Sequence, residues 1–331
     1  MKKTLIALAV LAASSASMAQ VTLYGVADVA VGAVDNSKGG LGLTNDKTQL
    51  IGNGSLTNGN SRFGLKGTED LGGGLKAMFN YESSIQILNG ANAGSGDKLF
   101  SRQAWVGLSG GFGTLTVGRQ FTPSFDVGGA AWELTGYANY SDVGNQFSFN
   151  GTDPRDDASI KYKTPALGGF AFAGSFVPEG NGVYQDAAKA NKSKYDLVAA
   201  YGAGPLAVSL AYNKVDAGQE GTLFGGSYDF GMVKLAASYQ STKDGSGNKL
   251  IEGYSLGASL PVGQWTFTAD AAVAQSGSKL LAGQSSDTDF LLEAKYALSK
   301  RTTVYGVYLR DGKGQKTEDV NGYSIGLRHN F

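Results

Sequence analysis

From Val21 onward the chain repeats one unit: a stretch of period-two alternation, a tight turn, a second such stretch, then a long polar connection. Alternation is plainest in Phe170-Ala-Phe172-Ala-Gly-Ser-Phe176, Leu206-Ala-Val208-Ser-Leu210-Ala-Tyr212 and Trp265-Thr-Phe267-Thr-Ala269-Asp-Ala271. Successive strand side chains point to opposite faces, so each stretch has one apolar, aromatic face and one of Ser, Thr, Asp or Ala. Tight turns fall at residues 69–74, 109–113, 165–169, 202–205, 229–231, 260–263 and 297–301. Long connections fall near 35–60, 85–98, 120–156, 178–193, 214–221, 241–249, 275–286 and 310–320. The two kinds alternate without exception, and fifteen connections predict sixteen strands.

A soluble β-sandwich would bury the apolar face and has no need of short turns at one end only. A transmembrane barrel requires the whole pattern: an even strand count, short turns on the periplasmic side, long loops outside and apolar residues toward lipid. In hydrocarbon only helices and closed barrels satisfy every backbone group. No window holds 18 consecutive apolar residues, so helices are not the spanning element. Aromatics gather near strand ends, at Phe79/Tyr81, Tyr195/Tyr201 and Tyr228/Phe230, as an interfacial girdle requires. Sixteen strands leave a lumen wide enough for water. The expected fold is all-β, a 16-stranded antiparallel transmembrane β-barrel; a secreted β-solenoid is the other all-β reading.

The first nineteen residues stand apart. Lys2 and Lys3, the apolar run Leu5 to Ala13 and the small-residue ending Ser17-Met18-Ala19 form a secretory signal peptide, with residues 20–331 as the barrel. Removing 1–19 leaves a net charge of −2. There is no Cys and a single His, which excludes a disulfide scaffold, a cysteine nucleophile and a multi-His metal site. That His329 sits on an outward face, third from the end, so no positioned general base is on offer and an enzyme is not expected. Gly312-Lys-Gly-Gln-Lys-Thr317 lacks the spacing of a phosphate loop. Balanced charge gives no footprint for nucleic acid, and nothing asks for a cofactor or metal.

The C-terminus alternates Tyr323, Ile325, Leu327, His329 and Phe331 with Ser324, Gly326, Arg328 and Asn330, and stops on an aromatic. With Val21-Thr-Leu-Tyr-Gly-Val-Ala-Asp28, Ser61-Arg-Phe-Gly-Leu-Lys-Gly-Thr-Glu-Asp-Leu-Gly-Gly-Gly74, Ser101-Arg-Gln-Ala-Trp-Val-Gly-Leu-Ser109 and Gly118-Arg-Gln-Phe-Thr-Pro123, it resembles the general porins of β-proteobacteria. The resemblance implies a homotrimer of water-filled channels in the Gram-negative outer membrane, passing small hydrophilic solutes and ions by passive diffusion. It implies contact with outer-membrane lipid and lipopolysaccharide, and an assembly machinery that reads Phe331. It also implies a third loop folded into the barrel, its acids opposite a basic wall. A substrate-specific channel, which needs an inward aromatic stripe, and a structural or adhesin barrel are the rival functions.

The connection from about Gln120 to Asp156 is the longest and has apolar mass in Pro123, Phe125, Trp132, Tyr137 and Tyr140. The resemblance makes it the constriction loop, with acids Asp126, Glu133 and Asp142; Asp126 and Glu133 are the preferred lumen acids. The enteric Pro-Glu-Phe-Gly-Gly motif is absent. Strand parity supplies the wall. Outward Phe63 and Leu65 place Arg62 and Lys66 inside; Trp105 read as outward places Arg102 inside; outward Ile160 and Tyr162 place Lys161, Asp157 and Arg155 inside. Arg62, Arg102 and Arg155 match the family's arginine ladder. Asp28, Lys76, Glu82, Asp196, Asp270 and Glu293 are also inward and read as scattered wetting charge. Outward Gly25 and Ala27 suit close packing at a trimer contact. Arg119, outward at the top of its strand, is expected to meet either a neighbouring subunit's Asp97 or a lipopolysaccharide phosphate. Basic charge at the narrowest section predicts mild anion selectivity.

Overall fold

The structure, a computed structural model, describes residues 20–37, 40–94, 98–140, 154–180, 192–276, 286–312 and 319–331. The signal peptide, Asp97 and Asp142 lie outside these residues. The strands are β1 (Gln20–Val34), β2 (Gln49–Ile51), β3 (Arg62–Gly72), β4 (Leu75–Ser84), β5 (Gln103–Gly110), β6 (Gly113–Phe121), β7 (Arg155–Lys163), β8 (Phe170–Val177) and β9 (Lys194–Ala203). They continue as β10 (Leu206–Val215), β11 (Glu220–Asp229), β12 (Lys234–Lys243), β13 (Lys249–Val262), β14 (Trp265–Ser276), β15 (Asp287–Ala297), β16 (Thr302–Asp311) and β17 (Val320–Asn330).

From β3 to β17 each strand pairs antiparallel with the next, and β1 closes the ring. Its first half pairs with β3 from Gln20↔Thr68 to Val26↔Arg62. Its second half pairs with β17 from Val26↔Asn330 to Val34↔Gly322. The three-residue β2 continues the β3 side, facing Ala30 to Gly32. Setting β2 aside as a fragment of the first loop, the described residues form sixteen staves of a closed barrel, as the connection count predicts. Closure matters because each backbone group left open in hydrocarbon would cost several kcal/mol.

The tight turns fall where the sequence places them. At β3–β4 the chain reverses through Gly72, Gly73 and Gly74, all at positive φ, a region closed to most side chains. Two of the expected long loops are shorter than read. Strands β10 and β11 run on to leave residues 216–219, and β12 and β13 to leave 244–248, because polar residues on an inward face continue a strand as well as they make a loop.

Burial is inverted relative to a soluble protein. Outward Leu23, Val106, Val117, Leu197, Phe224, Leu256 and Ile325 are exposed, whereas inward Asp28, Ser159, Asp196, Ser209 and Asn213 are buried. This is the lipid-out, polar-in order of a membrane barrel. The aromatic pairs Phe79–Tyr81, Phe176–Tyr195 and Tyr228–Phe230 stand on the outer wall. Inside the barrel, one apolar cluster holds Leu43, Ile51, Leu56 and Tyr140 against Leu291, Tyr305 and Val307. A second holds Ala131 and Trp132 against Val198, Ala211, Leu223 and Ile251. Both form where loops fold inward and dock on the wall.

Candidate functional site: a constricted pore

The third loop leaves β6 and enters the lumen at once. Residues 124–131 form two short helical turns that lie along β9, β10 and β11. Polar wall residues fix the backbone. Asp196 accepts hydrogen bonds from the Ser124 N–H and hydroxyl, both 2.8 Å. Ser209 donates to the Gly128 carbonyl (2.7 Å), Ser227 to that of Ala131 (2.6 Å) and Lys295 to that of Thr135 (2.6 Å). Trp132 occupies a notch left by Gly225, where a Cβ would come within 2.2 Å of the indole. Farther on, Asn139 donates to the Thr57 hydroxyl and Asn60 Oδ1, both 2.8 Å. Tyr140 accepts from Asn58 (2.6 Å) and donates to Glu293. Burial raises the Tyr137 and Tyr140 hydroxyls well above the usual phenol range, keeping both as donors. The loop therefore spans the lumen from the β9–β11 wall to the β1–β3 side, which is the inward fold expected.

Between loop and wall lies a cavity of about 630 Å³. Among the described residues its basic lining is Arg62, Arg102, Arg155 and Arg328; its one carboxylate is Asp126, and Phe121, Phe125 and Tyr137 complete the loop side. The structure thus brings Arg62, Arg102 and Arg155 together on one cavity. Arg102 Nε meets Glu82 Oε1 at 2.6 Å, and Arg62 Nε meets Oε2 of the same carboxylate at 3.5 Å. Arg155 lies 4.1 Å from the Phe121 ring centroid. Lys161 pairs with Asp126 at 2.7 Å and also donates to the Phe121 carbonyl. Burial pushes the Asp126 carboxyl above its ordinary range, and Lys161 partly offsets this. Lys66 stands apart, its ammonium 5.0 Å from the Tyr24 ring centroid.

Several sequence readings are corrected. Trp105 faces the lumen, not lipid: it pairs across to Asn80, donates to Gln103 Oε1 at 3.0 Å, and leaves Val106 and Leu108 exposed outside. Arg102 reaches the cavity because it precedes β5 in a bend, where strand parity no longer applies. A bulge between β6 and β7 sets Asp157 and Ala158 opposite Arg119 and shifts the register by one residue. Asp156 consequently turns inward, where Lys194 meets it at 2.8 Å in a buried pair. Asp157 turns to Arg119 (2.8 Å) and Lys98 (2.7 Å), so the charge on Arg119 is answered within its own chain. Glu133 does not project into the cavity; it caps its own loop, accepting from the N–H groups of Thr135, Gly136 and Tyr137. Neither Glu82, Asp196 nor Glu293 is scattered wetting charge. Glu82 holds two arginines, Asp196 holds the start of the loop, and Glu293 joins Tyr140 to Lys295 (2.8 Å).

The sequence reading missed Arg328 as a pore residue. Its parity was legible, since Ser324, Gly326 and Arg328 alternate with outward Ile325 and Leu327. Its height was not, because height depends on the stagger between strands. Opposite Asp28 in register, Arg328 donates to Asn58 Oδ1 at 2.5 Å. Gly25 and Ala27 keep outward parity, but the Gly25 notch is filled by the ring of Phe331, whose backbone exchanges two hydrogen bonds with Gly25 at 3.0 and 3.1 Å.

A closed barrel with an apolar exterior, a polar interior and a loop-narrowed, charge-lined passage is a transmembrane diffusion channel. The chain belongs to the Gram-negative porin family, whose model matches residues 4–316. It is 34% identical, over the full length of both chains, to outer membrane porin protein 32 of Delftia acidovorans. It is 30% identical, again over both full lengths, to major outer membrane protein P.IB of Neisseria gonorrhoeae. Among solved structures, the anion-selective porin from Comamonas acidovorans matches with a TM-score of 0.75 at 28% identity, covering 95% of this chain and all of that one. The chain is an outer-membrane porin that conducts small hydrophilic solutes and ions passively.

Proposed function

We propose that this porin discriminates mildly in favour of anions, and that the discrimination arises at the cavity between the arginine cluster and the third loop. The observation that carries this is the lining: among the described residues, Arg62, Arg102, Arg155 and Arg328 stand against the single carboxylate of Asp126, which Lys161 already pairs. Arginine stays charged at every physiological pH and its fork is held by Glu82 and Asn58, so the field is fixed rather than mobile. The similarity to a porin described as anion-selective supports the same sign. Among the described loop acids Asp126 opposes the wall, and Glu82 already offsets Arg62 and Arg102, so the preference is moderate. Replacing Arg62 and Arg102 together with Gln shifts the reversal potential in a KCl gradient toward cations while conductance persists. An unchanged potential places the selective section elsewhere.

The working form is a homotrimer, delivered through a signal peptide cleaved after Ala19. On β1 the outward Ala27 supports close subunit packing, whereas the notch at Gly25 is taken by the chain's own Phe331; Arg119 pairs with Asp157 of its own chain. Phe331 acts as the terminal assembly signal. Migration of the unheated protein as a monomer in mild detergent, with light scattering in agreement, contradicts the trimer.

A further inference from the structure

Phe121 at the end of β6, with Phe125 and Tyr137 of the third loop, adds an aromatic wall to the arginine cluster that strand parity does not indicate. Phe121 and Phe125 stack with centroids 4.9 Å apart and planes 13° from parallel. Tyr137 packs on Phe125 at 4.5 Å and donates its hydroxyl to the Phe125 carbonyl at 2.7 Å, which locks the set. Arg155 covers the far face of the row at Phe121. All four line the same cavity as Arg62 and Arg102. The row uses its ring faces on itself. What it offers a solute is therefore ring edges, which carry the positive end of the aromatic quadrupole, beside guanidinium groups that take a carboxylate in bidentate fashion. A small inorganic anion uses only the second feature.

Resting on the anion-preferring reading above, we propose that the constriction is a binding station for aromatic carboxylates, which pause there longer than aliphatic carboxylates of the same size. The carboxylate meets the arginine cluster while the ligand's ring face meets the edges of Phe125 and Phe121. An edge-to-face aromatic pair adds roughly a two- to tenfold gain in residence over an aliphatic ring of equal charge.

The test is single-channel recording in KCl with benzoate or cyclohexanecarboxylate added, reading dwell time in the interrupted state. The wild-type protein gives a dwell ratio of benzoate to cyclohexanecarboxylate above two. In Phe125→Leu and, separately, Phe121→Leu the ratio falls toward one; because it is taken within each protein, a change in overall conductance cancels. A wild-type ratio of one, or a ratio that survives in both variants, overturns the proposal. Reversal potentials in the same bilayers separate the two levels: a cation-preferring sign removes the underlying reading as well, whereas an anion-preferring sign with a ratio of one removes the aromatic station alone.

Discussion

Neutralising Arg328 is the most informative single perturbation, because this residue enters the pore only through barrel closure. Gln at 328 keeps a hydrogen-bond donor for Asn58 and removes the charge. A sphere of the cavity's volume, about 630 Å³, has a radius of about 5 Å, so an ion at its centre passes each lining charge at about that distance. In water-like surroundings a unit charge at about 5 Å changes an ion's energy by about 0.8 kcal/mol, and screening over about 8 Å at physiological salt roughly halves it. The effect has opposite signs for anion and cation, so Arg328→Gln lowers the anion-to-cation permeability ratio about fourfold. In 1 M salt, where the screening length is about 3 Å, the change shrinks to less than about twofold. The assay is the reversal potential across a KCl gradient at low and high mean salt. Arg328→Lys retains the charge and stays near wild type. An unchanged ratio in Arg328→Gln at low salt refutes the reasoning, as does an equal shift in Arg328→Lys, which would mean the residue acts by shape.

Other consequences follow from named contacts. Because burial raises the Asp126 carboxyl, it takes up its proton as pH falls while ordinary aspartates are still charged. The lining then loses the Asp126 carboxylate, so anion preference rises with acidification from above the usual range of about pH 4; Asp126→Asn shows the increased preference at neutral pH and a flatter profile. Gly225→Ala drives a methyl group into Trp132, with a 2.2 Å approach to Cδ1, and displaces the loop at an overpacking cost of about 1–3 kcal/mol. Single-channel current in that variant is altered in size and noisier than wild type; an indistinguishable trace shows that Trp132 does not position the loop. Deleting Phe331 removes the ring that fills the Gly25 notch and one end of the β1 seam. Folded yield in the outer membrane drops while export continues, and equal yield would contradict a role in assembly.

The strand count and the direction of most apolar faces were legible because side-chain alternation depends only on chain geometry, β5 being the exception, whereas the constriction loop was identified through the family resemblance. Parity failed where geometry departs from an ideal strand. The β-bulge at Asp157 and Ala158 exchanged the faces of Asp156 and Asp157, and the bend before β5 carried Arg102 inward although its strand parity is outward. Relative height was illegible as well. Arg62, which begins β3, and Arg328, near the end of β17, reach one level because both flank β1, opposite Val26 and Asp28 respectively. Nor could the sequence distinguish a solvated acid from a holding one. Glu82 and Glu293 differ from an ordinary wetting charge only in which cations and hydroxyls the closed barrel brings to them.

In the proposed reading, a fixed arginine cluster facing the third loop sets the passage of ions. Its most direct test is the reversal potential of the wild-type channel in a tenfold KCl gradient at low salt. The expected potential is displaced from zero toward the chloride equilibrium value, with steady conductance through the open pore. A potential displaced toward the potassium value contradicts it.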